Sequence, residues 1–168
     1  LTSAIDNETQ AFTAKQFALF LIDVGQYENT DRLINDILGN DLSKEAEIEL
    51  TYVHCQSWLQ QLSKPYDQNV LALLKTKLSE VLSFYKERHR GKEQALVLID
   101  AGMVANYDES WSESLGYFNE AISLLEKEDL PLLVANAQYR KGILLYTWAK
   151  HGNPQFFRSA AEALQKAI

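Results

Sequence analysis

Apolar residues along this chain recur every three or four positions rather than every second one, the spacing of helices that bury one face. The clearest run is Ile48, Tyr52, Cys55, Leu59 and Leu62, and Leu71, Leu74, Leu78, Val81 and Tyr85 repeat its rhythm. Start and stop signals cut the periodic stretches into eight. The first spans about 8–24, with Phe12, Phe17, Phe20, Leu21 and Val24 apolar, and Gly25 breaks it. A short second, about 29–38, carries Leu33, Ile34, Ile37 and Leu38 ahead of Gly39. Ser43 caps the third, Pro65 punctuates, and Asp67 caps the fourth. Gly91 sets off the fifth, about 92–107, with Leu98, Ala101, Gly102 and Ala105 on one stripe. Asp108 or Ser110 caps the sixth, striped by Trp111, Leu115, Phe118, Ile122 and Leu125. Asp129 and Pro131 open the seventh, since Pro is tolerated in a first helical turn. Gly152 closes it and Asn153-Pro154 starts the eighth. No stretch alternates as a strand, so the predicted fold is all-α, about eight helices in four antiparallel hairpins.

Hairpins in series raise the question of a repeat. In the stretch VANAQYRKGILLYTWAKHGNPQFFRSAAEALQKAI, Ala135, Gln138, Tyr139, Gly142, Leu145, Gly152-Asn153-Pro154, Ala160, Leu164 and Ala167-Ile168 fall in the order of a helix pair in close approach. The stretch resembles a tetratricopeptide repeat in its longer bacterial form. Leu98, Ala101, Gly102 and Ala105, then Ser114, Phe118 and Ala121, follow the same order of small and large. Phe17, Ala18 and Leu21, then Gly25-Gln26-Tyr27, Thr30, Ile34 and Ile37, give a fainter copy. Points near Ile37, Leu78, Ala121 and Ala167 lie some 41 to 46 residues apart. The helices of 43–90 alternate correctly but do not register on the motif. LIDVG at 21–25 also recurs as LIDAG at 98–102, out of step with this register.

The resemblance implies a right-handed superhelical array, an α-solenoid, with residues 1–168 as a single repeat domain. It also implies a protein-protein interaction scaffold that takes a protein or peptide in a concave groove; separately, no residue set in the sequence stands behind an enzyme, so no enzymatic activity is expected. The first helix of each hairpin would line that groove. Carried over where the motif matches, the groove residues are Ile99, Met103, Asn106 and Tyr107, then Asn136, Tyr139, Ile143 and Tyr146, with Arg140 at the edge. The family's clamp for a peptide carboxylate uses Lys, Arg and Asn at places that are mostly apolar here, which argues against such a ligand. The second functional reading is a regulatory sensor whose groove binds a small molecule or short peptide and controls an attached effector. The apolar stripe of residues 156–168 needs a cover, either a following repeat or a second copy, and with Leu1 in first place the chain is expected to be a segment of a longer protein.

Composition narrows this further. Sixteen basic against twenty-three acidic residues give a net charge of −7, which disfavours nucleic acid as a partner because that affinity rests on neutralising phosphates. The basic cluster Lys86, Arg88, His89, Arg90 and Lys92 reads as a helix end complementing the helix dipole, with Gly91 past the cap. No apolar run approaches the length of a membrane span. A single cysteine, Cys55, fits a reducing compartment, and the expectation is a cytoplasmic chain. His54 and Cys55 are neighbours on a helix and point about 100° apart, so they form no dyad. Asp23 and Asp100 interrupt apolar stretches but fit helix edges. No metal-ligand spacing or cofactor-binding motif is present, so no cofactor or metal is expected.

Overall fold

A computed structural model describes the backbone of residues 2–168 and the side chains from Asn7 onward; Leu1 lies outside the described residues. Eight helices and no strand occur among them: α1 (Thr2–Asp23), α2 (Tyr27–Leu38), α3 (Lys44–Gln61), α4 (Gln68–Glu87), α5 (Gly91–Tyr107), α6 (Trp111–Lys127), α7 (Pro131–Lys150) and α8 (Phe156–Gln165). Contacts divide the chain into two compact units, one running to Val81 and the other Leu82–Ile168, with the boundary inside α4.

In the first unit α1, α2 and α3 pack on one another. Ser43 caps α3 as its sequence predicts, accepting a hydrogen bond from the Ala46 N–H. Asp67 does the same for α4, its Oδ1 accepting from the Asn69 N–H at 2.8 Å. The core corrects the reading of the first helix. Ala11, Ala14, Ala18 and Leu21 are buried, while Phe12, Phe17, Phe20 and Val24 are each at least half exposed. The small residues sit at helical spacing on the side facing Ile34, Leu50 and Val53, so α1 approaches its neighbours closely and turns its rings outward.

In the second unit α5 packs on α6, α6 on α7 and α7 on α8, around Leu98, Phe118, Ile122, Leu125 and Leu144. Two glycines set the approach. A Cβ on Gly102 would stand 3.0 Å from the Phe118 ring, and one on Gly142 would stand 2.6 Å from Leu164 Cγ. Beside the first, the buried Ser114 Oγ donates to the Gly102 carbonyl at 2.6 Å.

The connections repeat more regularly than the side chains do. Helices begin at Gly91, Trp111 and Pro131, a step of twenty residues, shorter per hairpin than the spacing read from the sequence. Two residues before each start, His89, Glu109 and Asp129 adopt positive φ of 55°, 59° and 52°. Each donates its N–H to the carbonyl three residues back, and the next residue donates to the carbonyl five back. That is the left-handed helix-ending turn usually closed by glycine. Gly25 makes the same turn ahead of α2, with φ 75°. Two expectations fall here. Gly91 is not the residue past the α4 cap; His89 takes that place, and Gly91 is the first residue of α5, where a Cβ would meet Glu128. Gly25 and Gly102 are not equivalent, since one closes a turn and the other is buried within α5, so the LIDVG and LIDAG match is fortuitous.

Candidate functional site

The outer face of α7 carries most of the exposed large hydrophobic side chains of the second unit. Leu132, Asn136, Tyr139, Ile143 and Tyr146 step by four, three, four and three residues, and all five are exposed. Leu132 is 86% exposed and Tyr139 51%, values that leave most of each side chain uncovered. The helix forms because its opposite face is apolar at the same period: Ala137, Leu144 and Leu145 are buried there, and Pro131 occupies the first helical position. The row continues onto α8, where the exposed Phe157 ring meets Tyr146 edge-on at 5.9 Å. Lys150 lies at the same end of the row, its Nζ 5.7 Å from the Tyr146 ring centre.

The expected groove residues thus divide by helix. Asn136, Tyr139, Ile143 and Tyr146 share the exposed face of α7. Arg140 flanks that face, half-buried, with no hydrogen-bond partner for its Nε. On α5, Ile99 is 6% exposed and belongs to the core with Phe118 and Ile122, so it presents no surface to a partner. Its burial follows from α5 contacting both α6 and α7. Met103 is half-buried against the same core; Asn106 and Tyr107 are half-buried near the end of α5, and Asn106 Oδ1 lacks a hydrogen-bond partner. Leu132 and Lys150 extend the four-three spacing at either end of that face and were legible in the sequence; Phe157, on the apolar stripe of residues 156–168, meets the face from another helix, which the spacing does not reveal.

Charge on α7 is one-sided. The helix carries Arg140, Lys141 and Lys150 and no carboxylate. Burial, with Lys166 nearby, pushes the Lys141 ammonium below the usual lysine range. The basic cluster at the α4 end is engaged locally: the Arg88 guanidinium lies 3.6 Å from the Phe84 ring centre, and Arg90 Nη2 donates to Glu93 at 2.7 Å.

The first unit holds a different feature, a cavity of about 330 Å³ lined by Asp31, Asn35, Thr51, His54, Trp58 and Lys77 among others. His54 is 5% exposed and its ring packs on Trp58, with centres 4.0 Å apart. Its Nε2 sits 3.4 Å from Asp31 Oδ1 without hydrogen-bonding geometry. Burial lowers the imidazole pKa from 6.5, Asp31 raises it, and Lys77 lowers it again. Asp31, His54 and Ser57 invite comparison with a hydrolytic triad, but Ser57 Oγ donates to Asp31 at 2.8 Å, leaving the imidazole no serine to activate in this arrangement. Among the described residues no group of three or more His, Cys, Asp or Glu side chains could hold a metal, and no helix is long and apolar enough to cross a membrane.

No protein-family model matches the chain, and no curated protein and no solved structure is similar enough to be matched to it.

Proposed function

We propose that the chain is part of a tetratricopeptide-like α-solenoid and serves as an interaction module, docking a protein or peptide on the outer face of α7. The exposed row of Leu132, Asn136, Tyr139, Ile143 and Tyr146 carries this reading. Aromatic and aliphatic side chains at helical spacing give a partner large contact area at small entropic cost. The repeat itself is supported by two hairpins that each close on a glycine, Gly102 toward Phe118 and Gly142 toward Leu164, and by the recurring twenty-residue turn. The test is site-specific photo-crosslinking in cells, with a benzophenone side chain at Tyr139 or Tyr146 and, as control, at the exposed Ser123 of α6. Adducts from α7 that are absent from Ser123 are expected. Adducts of equal yield from all three sites would count against a defined surface.

A second reading, a sensor for a small molecule, rests on the cavity beside His54, whose volume is at the lower end of ligand pockets. Loss of crosslinking at α7 combined with ligand-dependent Trp58 fluorescence would favour it.

A further inference from the structure

The four-three spacing on α7 is that of a coiled-coil seam, in which Leu132, Tyr139 and Tyr146 fall on one set of core positions and Asn136, Ile143 and Lys150 on the other. Arg140 then occupies a position flanking the seam, where paired helices place the charges that choose their partner. The small Ala135, Gly142 and Ala149 line the opposite flank, so Arg140 is the one charged flanking residue on either side of the described seam.

Three observations say what chemistry should meet it. No carboxylate lies anywhere on α7, in a chain whose net charge is −7. Arg140 is half-buried with its Nε closed off and without a hydrogen-bond partner, so the guanidinium can meet a partner only through the atoms beyond Nε. Lys150, at the far end of the seam, rests over the Tyr146 ring rather than on a carboxylate. A second copy of α7 is a poor occupant: paired antiparallel it brings Arg140 near Arg140, and paired parallel it sets Arg140 beside the small Ala135 and Gly142 flank, so neither supplies a carboxylate.

Resting on the docking role proposed for α7, we infer that its partner is an acidic amphipathic helix: an apolar row that packs on Tyr139, Ile143 and Tyr146, with a carboxylate opposite Arg140. A guanidinium recognises a carboxylate through two parallel N–H donors, so the pair fixes register as well as charge. Asn136 adds a polar seam position, a device that selects alignment in paired helices.

The experiment uses the whole chain and three synthetic helical peptides that share a leucine seam and carry Glu, Gln or Lys at the flanks, with binding read by fluorescence anisotropy. The Glu peptide is expected to bind about tenfold or more tighter than the Gln peptide, and the Lys peptide weakest. Arg140→Gln should erase the preference for Glu while leaving the Gln peptide unchanged, with circular dichroism confirming that the variant is folded. Equal binding of Glu and Gln peptides, or tightest binding of the Lys peptide, overturns the acidic partner but leaves α7 as a docking face. Binding of none overturns the inference, and the crosslinking at Tyr139 then judges the docking role by itself. Sedimentation of the chain as a dimer that Tyr139→Ala dissolves would give the seam to a second copy and overturn it as well.

Discussion

In the second unit, glycines bring paired helices together: Gly102 opens the way for the Phe118 ring and Gly142 for Leu164. In the first unit alanines do the corresponding work, Ala11, Ala14 and Ala18 being buried against α2 and α3 while the phenylalanines of α1 face outward. A missing Cβ lets one large side chain sink into the neighbouring helix, so the bulk ends up inside. A row of methyl groups gives two helices a smooth surface to meet on, and the bulk is left for the other face. The two devices differ in how sharply they respond to a single added carbon.

The largest effect is therefore expected at Gly142. Alanine there would place its Cβ 2.6 Å from both Leu164 Cγ and Cδ2 and 3.3 Å from the Leu164 nitrogen, so backbone as well as side chain must shift. Overpacking of this kind costs about 1–3 kcal/mol, and the roughly 1 kcal/mol that alanine gains in helix propensity only partly offsets it. Chemical denaturation should show a net loss for Gly142→Ala. Ala18→Gly in the first unit, also fully buried, should lose a similar amount for the opposite reason, a small void plus helix propensity, about 1–2 kcal/mol. If Gly142→Ala is neutral, the close approach of α7 and α8 is not what holds that hairpin.

Next in size is the polar contact beside Gly102. Ser114 is fully buried and its Oγ donates to the Gly102 carbonyl at 2.6 Å. Ser114→Ala leaves that carbonyl without this donor at a cost of about 1–2 kcal/mol. Thr30 of α2 is equally buried, but its Oγ1 donates within its own helix, to the Gln26 carbonyl. Thr30→Val should cost clearly less, because the hydroxyl bond it removes stays within α2 whereas that of Ser114 joins α6 to α5. Equal losses at the two positions would remove the distinction between a bond that joins two helices and one that stays within one.

The helices were legible because burial imposes their period on the sequence, and the observed ends fall close to those predicted except at the start of α1, which begins at Thr2, well ahead of the expected position. Which side of a helix faces out was less so. On α5 apolar residues run around most of the circumference, from Ala95 through Val97, Leu98 and Ile99, and all four are buried. Nothing in the pattern tells a groove residue there from a core residue, and Ile99 was misassigned for that reason. On α1 the large residues dominate the apolar pattern, yet the alanines set the packing. On α7, Asn136, Tyr139, Ile143 and Tyr146 are exposed, because Leu144 and Leu145 define an unambiguous inner face. The turns were hidden because histidine, glutamate and aspartate stand where glycine would announce them.

Those turns give a smaller test with opposite signs in the two units. Gly25 and Glu109 share one backbone conformation, at φ 75° and 59°. Gly25→Ala meets nothing within 4 Å, so its cost comes from the left-handed backbone alone and should be about 1 kcal/mol. Glu109→Gly relieves the same strain and should stabilise by about 0.5 kcal/mol, the loss of unfolded-state freedom subtracting from the gain. Thermal melts of the two variants should move in opposite directions. A Glu109→Gly variant that melts lower would mean the glutamate side chain holds the turn.

The smallest expected effect separates the units by pH rather than by packing. His54 is buried in the first unit, and its pKa lies below 6.5, chiefly because burial penalises the imidazolium. The unfolded chain therefore takes up a proton at this site more readily than the folded one. Its contribution to stability is fully present above about pH 6.5 and is lost as pH falls through the window between 6.5 and the lower folded value. The Asp31 carboxylate, 3.4 Å away, limits the loss, and the Lys77 ammonium enlarges it. Between pH 7.5 and 5.5, denaturation of the wild type should show a decline that His54→Gln reduces. Lys77→Met should reduce it less, since Lys77 is the minor of the two causes that lower the pKa. A decline of the same size in His54→Gln would move the acid sensitivity to carboxylates such as Glu80, whose pKa the Lys44 ammonium holds below the ordinary glutamate value and which therefore gives up stability only at lower pH.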